Sequence, residues 1–209
     1  MENEIRSYLM EEIGKQIDEE LTADPTLDEL QIPDYIKYDP EIVGYPDDDF
    51  QRQIYEAVLS NIGLNDTVVD FGCGRGDFGK YLPPDQYVGF DRNEILIKAG
   101  KELYPHLDLR NSDYLSNYTR FDHTVVIGTL NNFDGQDKWE RFKNTLEVGL
   151  ALSSKSIIFV LQRSVELEGY CDFLIEQTIP LIPSNLPFKV DYTKFEDIYV
   201  LVVYTQPFF

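Results

Sequence analysis

The sequence predicts an α/β fold, in which a mostly parallel, doubly wound sheet carries helices on both faces and finishes in an antiparallel hairpin. Three observations point there. Strand-like apolar runs alternate with segments of helical period from Asp49 onward. The middle runs, "TVVDF" and "SKSIIFVLQ", are apolar on both faces, as strands covered from both sides must be. The last two, "FKVDY" and "DIYVLVVYTQ", are separated by "TKFE", too short for a crossover helix, so they must pair antiparallel.

Taken in order, Ile5, Leu9, Ile13, Ile17 and Leu21 recur every four residues between charges and predict one apolar stripe on a helix. That stripe packs on the chain's own core or meets a dimer or partner helix. Pro25, Pro33, Pro40 and Pro46 then break the chain into short pieces draped over the main body. The division expected is an acidic helical extension over residues 1–43 and one domain over 44–209. Phe50, Ile54, Ala57, Val58 and Ile62 predict a helix over Asp49–Ile62, and "GLND" turns it into a strand over Thr67–Phe71. Further strands are expected at Gln86–Asp91, Leu107–Asp113, His123–Asn131 and Ser154–Gln162. Helices are expected at Gly76–Tyr81, Glu94–Leu103, Asp137–Leu152 and Glu166–Gln177.

Composition removes several function classes. The chain has 209 residues, enough for one ordinary domain and an appendage, and 43% of them are hydrophobic. No apolar run approaches the roughly 20 residues of a membrane span, and the first residues are acidic, unlike a secretory signal, so the cytoplasm is the expected compartment. Cys73 and Cys171 stand far apart outside any ligand spacing and the chain has 2 His, so no metal is expected. A formal net charge of −20 repels polyanions and disfavours nucleic acid as a partner. Residues 1–50 hold sixteen of the acids against Arg6, Lys15 and Lys37, a solvated face or a surface for a basic partner.

The chemistry concentrates in "VVDFGCGRGDFG", Val68 to Gly79. In an open parallel sheet the ligand crevice lies beyond the carboxyl ends of the strands, and the first strand-to-helix turn sits there. Gly72, Gly74 and Gly76 occupy that turn, where bare backbone and the unpaired amides of a following helix can cradle a polar group. Gly74, Gly76 and Gly79 also satisfy the dinucleotide fingerprint, with an acid about twenty residues on, so a nicotinamide-dependent oxidoreductase stays open. Against a pyrophosphate stands Asp70, two residues before the glycines, which suits a ligand bearing an amine and a sulfonium charge.

Asp70-Phe-Gly72-Cys-Gly74-Arg-Gly76 followed by Tyr87-Val-Gly-Phe-Asp91 resembles the class I S-adenosylmethionine-dependent methyltransferases, and the order of elements from about Gly44 to Phe209 agrees. The resemblance implies a Rossmann-like seven-stranded sheet with its last strand antiparallel, and S-adenosylmethionine as cofactor. "FDHTVVIGTLNNF" is similar to a branch whose fourth strand ends in a Ser-Gly-Ile-Phe-Asn-like sequence, with Ile127 in place of the serine and Leu130 of the phenylalanine. Position by position, it implies that Asp91 accepts both ribose hydroxyls and that Asp113 receives the adenine amine beside the amide of Tyr114. Arg92 flanks the ribose acid. The methionine end lies against Gly72, Gly74, Gly128 and Thr129, with Asp70 orienting its ammonium directly or through water, and Gly76 completes the cofactor-binding loop.

Methyl transfer from a sulfonium is an in-line displacement, so positioning and desolvation come first and a base is optional. The acceptor approaches over the ends of the fourth and fifth strands, which nominates Asn131 and Asn132 as catalytic candidates. Asp134, Gln162, Arg163 and Tyr45 are candidates for holding the acceptor. His123 opens its strand far from that end and is read as structural. A small-molecule acceptor, methylated at O or N, leads; a protein acceptor drawn to the acidic extension, or a catalytically silent cofactor-binding module in a larger assembly, are the alternatives.

Overall fold

The computed structural model describes residues 31–112, 120–132, 135–164 and 170–206. Among them, seven strands form one sheet: β1 (Val68–Phe71), β2 (Tyr87–Asp91), β3 (Asp108–Asn111), β4 (Phe121–Ile127), β5 (Ser153–Gln162), β6 (Phe188–Tyr192) and β7 (Ile198–Tyr204). Their order is β3-β2-β1-β4-β5-β7-β6. β1 pairs in parallel with both β2 and β4, so strand order reverses there and a crevice opens beyond their carboxyl ends. β7 is antiparallel to both neighbours, as the short connection from β6 requires.

The α-helices are α1 (Asp34–Tyr38), α2 (Asp48–Leu59), α3 (Glu94–Leu103), α4 (Lys138–Leu152) and α5 (Ile175–Thr178). The three long ones start where an acid or amide side chain caps the first turn. Asp47 accepts from the Phe50 amide at 2.7 Å, Asn93 from Ile95 and Leu96, and Asp137 from Trp139 and Glu140. Period-two alternation sorts each strand between two cores. Val69, Phe71, Ile157, Phe159, Tyr199 and Leu201 face α4 through Phe142 and Leu146. Val68, Ile158, Val160, Val200 and Val202 face α2 through Ile54, Tyr55 and Val58. Asp70 lies between Val69 and Phe71 in β1, so it points with Val68 toward the α2 face.

Two expected helices differ. The segment Gly76–Tyr81 forms turns and a single 3-10 turn, Gly79–Tyr81, because Gly76 takes φ +82°, outside the helical region, and a Cβ there would come within 2.7 Å of Leu109. Of Glu166–Gln177, residues 166–169 lie outside the described part and only Ile175–Gln177 is helical. Tyr170 to Phe173 instead hydrogen-bond outward: Tyr170 bridges Asn132, the Cys171 amide donates to Asn131 O at 2.7 Å, and that of Phe173 to Gln162 O at 2.7 Å. The fourth strand also stops at Ile127 and a 3-10 turn takes Thr129–Asn131.

The apolar stripe from Ile5 to Leu21 lies outside the described residues. Residues 32–43 pack on the body: Ile32 and Ile36 are buried with Ile95 and Ala99 of α3, and Lys37 pairs with Glu102 at 2.7 Å. At the opposite end of the sheet from the crevice, His123 is buried between Ser156 Oγ at 2.8 Å and Asp66 Oδ2 at 2.9 Å. Burial alone would raise the Asp66 carboxyl, but hydrogen bonds from Lys155, His123 and the Gly63 amide hold it down at about 2. This network pins the β1, β4 and β5 starts and is structural, as expected for His123.

Candidate active site

The crevice is a cavity of about 350 Å³ whose wall runs from Asp91 and Leu96 on one side to Gln162 and Ile198 on the other. Its floor is the loop after β1. Gly72, at φ +74°, turns the chain under Thr129, where any Cβ would overlap the threonine hydroxyl and methyl; Thr129 in turn donates to Phe71 O at 2.9 Å. Four of the loop amides are engaged. Gly72 and Cys73 donate to Phe90 O at 2.8 and 3.0 Å, Gly76 to Cys73 O, and Gly74 to Asp91 Oδ2 at 2.8 Å. This corrects the expectation of an amide cradle opening a helix: the loop offers room, and these amides are already committed, which removes the main attraction for a pyrophosphate.

Two carboxylates face this space. Asp91, ending β2, accepts from Gly74 through Oδ2 and from the Asn93 amide through Oδ1 at 2.7 Å, so its plane is fixed while each oxygen keeps a lone pair. Asp70 is buried, and its Oδ2 accepts from Tyr87 Oη at 2.8 Å. Among the described residues its Oδ1 has no hydrogen-bond partner. Burial pushes its carboxyl up to about 7; the Tyr87 hydrogen bond opposes this and the nearby Asp91 charge adds to it. An orphaned, buried carboxyl oxygen on a residue that lines a cavity is what a ligand ammonium would complete. The residues present thus fit S-adenosylmethionine: Asp91 offers two acceptors for a vicinal diol, Asp70 one for an amine, and Gly72 leaves the backbone bare between them.

The structure adds a wall that the motif did not announce. Arg75 is buried; its Nε and Nη2 bind Asp77 at 3.1 and 2.9 Å, and its Nη1 donates to Ile36 O at 2.7 Å and Asp39 O at 3.0 Å. Tyr104 Oη donates to the other Asp77 oxygen at 2.7 Å. This clamp draws the 3-10 turn Pro40–Val43 over the glycine loop, so that Val43 and Gly44 line the cavity and Tyr45 follows. Tyr45 meets Tyr55 edge-on with centroids 5.7 Å apart and Phe50 at 6.4 Å, and Phe50 stacks on Phe195 at 3.9 Å. Burial raises both the Tyr45 and Tyr55 hydroxyls, so these phenols stay protonated.

Of the residues singled out from sequence, the cavity wall brings together Asp70, Gly72, Gly74, Asp91, Gly128, Thr129, Asn131, Asn132, Gln162 and Tyr45. Asp113, Tyr114 and Asp134 lie outside the described residues. Gly76 lies under the loop against Leu109 rather than on the wall. Arg92 is exposed and off the wall, because one step beyond Asp91 the strand points the other way. Arg163 also turns away, toward Asp197, with its Nε 3.8 Å from Oδ1. Asn131 is buried, and its side chain donates to Cys171 O at 2.8 Å and accepts from the Gln162 amide at 3.3 Å. It is a strut joining β4, β5 and the segment at Cys171 rather than a group presented to an acceptor. Asn132 is exposed at the mouth, where its bridge partner Tyr170 also lines the cavity. Tyr55, Asp77 and Tyr170 were missed; only the aromatic run "YPDDDFQRQIYE" hinted at the first.

No family model matches the chain. Over 85 residues it is 36% identical to 235L of Invertebrate iridescent virus 6, a protein named as a methyltransferase, covering 38% of this chain and 32% of that one. Over 111 residues it is 30% identical to the tRNA (carboxymethyluridine(34)-5-O)-methyltransferase of Schizosaccharomyces pombe, covering 51% and 47%. The chain spans less than half the length of the curated relatives it matches. Among solved structures, magnesium protoporphyrin IX methyltransferase from Synechocystis PCC 6803 with bound S-adenosylhomocysteine superposes with a TM-score of 0.58 at 12% identity, over 82% of this chain and 96% of that one. The chain has the fold of the class I S-adenosylmethionine-dependent methyltransferases.

Proposed function

We propose that the protein is an S-adenosylmethionine-dependent methyltransferase acting on an O or N of a small-molecule acceptor. The observation that carries this reading is the unpartnered oxygen of buried Asp70 sharing one cavity with the fixed carboxylate of Asp91. When bound, the cofactor supplies an electrophilic methyl group on a sulfonium. The chain's part is to bind and orient: Asp91 would take the ribose hydroxyls, Asp70 the ammonium, and Thr129 with Gly72 the space between. The rings of Tyr45, Phe50 and Tyr55, packed on one another at the cavity wall, would limit the water left around a bound cofactor. The methyltransferase names of the two curated relatives support the reaction class.

A tRNA acceptor, the substrate class in the name of the fission yeast relative, is opposed here by the net charge of −20. Among the described residues no helix is long and apolar enough to cross a membrane. Incubation with methyl-labelled cofactor and a small-molecule extract tests the reading. Label is expected in a compound of low mass; label confined to RNA or protein would refute the acceptor class, and no transfer to any fraction would leave a silent binding module.

A further inference from the structure

We propose that two copies of this chain pair edge to edge through β6, antiparallel and in a register centred on Val190, so that one sheet runs across both. The inference is independent of the methyltransferase reading. β6 is the last strand of the sheet, and among the described residues no strand pairs with its outer edge. The Tyr204 amide donates to Pro187 O at 2.9 Å and the Thr193 amide to Ile198 O at 3.3 Å. Alternation along that ladder turns the backbone groups of Pro187, Lys189, Asp191 and Thr193 toward β7 and those of Phe188, Val190 and Tyr192 outward. These outward amides and carbonyls are what a further strand would complete.

The side chains select which strand. Antiparallel self-pairing must set outward-turned residues against one another, so the registers that keep most of β6 paired are centred on Lys189, Val190 or Asp191. Centring on Lys189 or on Asp191 places that charge against its own copy, which is unfavourable. Centring on Val190 places each Lys189 opposite Asp191 of the second copy, at the positions outside the hydrogen-bonded pairs, where opposing side chains come closest. Lys189 and Asp191 share one face of the strand, where they already meet within the chain at 2.7 Å. On the other face the same register sets Phe188, 44% exposed, opposite Tyr192 of the second copy, 68% exposed in the single chain, so two large apolar side chains cover each other. A lone lysine blunts an edge strand; a lysine and an aspartate flanking the centre make the edge complementary to itself under a two-fold axis. The opposite edge, β3, presents no exposed large apolar side chain.

Analytical ultracentrifugation of the full chain tests this. Salt of about 0.15 M screens charges more than about 8 Å apart, which removes most of the long-range repulsion between two chains of net charge −20. At about 100 μM, where association of micromolar strength is nearly complete, the wild type is expected to sediment mainly as a dimer. Lys189→Glu and Asp191→Lys each set like charges across the pair twice and should weaken self-association more than about tenfold. Mixed in equal amounts, the two variants should recover a dimer of wild-type strength, because each altered charge then meets its opposite. The double variant Lys189→Glu/Asp191→Lys should recover it alone. Both side chains are at the surface, 45% and 39% exposed, so the variants keep the fold. A monomeric wild type, single variants that dimerise as the wild type does, or a mixture and a double variant that both stay monomeric overturns the inference.

Discussion

Replacing Asp70 by Asn separates the two tasks this account gives one buried carboxylate. The variant keeps an oxygen for the Tyr87 hydroxyl, 2.8 Å away in the wild type, and removes a charge that burial opposes. Because the folded-state pKa lies near 7, above the ordinary carboxylate value of 3.8, wild-type Asp70 contributes stability below pH 3.8 that is lost as pH rises toward 7. About three pKa units correspond to about 4 kcal/mol, an upper bound because the cavity admits water. Because about 1.6 kcal/mol of this is already lost at pH 5, urea unfolding at pH 5 and pH 8 is expected to show Asp70→Asn gaining on the wild type by up to about 2.6 kcal/mol between the two. Binding should run the other way. Below pH 7 the ligand ammonium must displace a proton from Asp70, so wild-type affinity for S-adenosylhomocysteine should fall about tenfold per pH unit, while the variant is flat. At pH 8 the variant should bind about 10- to 100-fold more weakly, the worth of a charge-assisted hydrogen bond. A variant less stable than wild type at both pH values, with wild-type binding independent of pH, would refute the reasoning.

Three further outcomes are expected. Gly72→Ala combines a left-handed backbone with overlap on Thr129 and should lose about 2–4 kcal/mol in chemical denaturation. Arg75→Met strands Asp77 and frees the carbonyls of Ile36 and Asp39; a loss of about 3–5 kcal/mol is expected, partly restored in Arg75→Met/Asp77→Asn, with faster hydrogen exchange over residues 36–45. Asn131→Ala should cost about 2–3 kcal/mol by leaving the Cys171 and Gln162 groups unpaired, whereas Asn132→Ala should stay within about 0.5 kcal/mol of wild type and lower turnover at unchanged cofactor affinity.

The sheet was legible because its central strands are apolar on both faces and end in turn residues, a pattern that needs no partner to be read. Asp70 and Asp91 were legible for a related reason, since a charge inside or ending an apolar strand has few bland explanations. What escaped depends on contacts distant in sequence. The Arg75 clamp ends on the backbone carbonyls of Ile36 and Asp39, which carry no residue signature. Residues 170–174 read as helical in period but are held extended by Asn131, Asn132 and Gln162. Gly76 sits in a backbone conformation that composition cannot reveal, so the turn that follows looked like the start of a helix. Arg92 and Arg163 each follow a strand's last residue, where a single step decides between cavity and solvent.

The cofactor reading requires the carboxylate ending β2 to grip a nucleoside sugar above bare backbone. Calorimetric titration of S-adenosylmethionine into the wild type and Asp91→Ala tests it directly. Two charge-assisted hydrogen bonds at about 1.5–3 kcal/mol each predict a loss of more than about 100-fold in affinity. No binding to the wild type, or equal binding to both proteins, would contradict it.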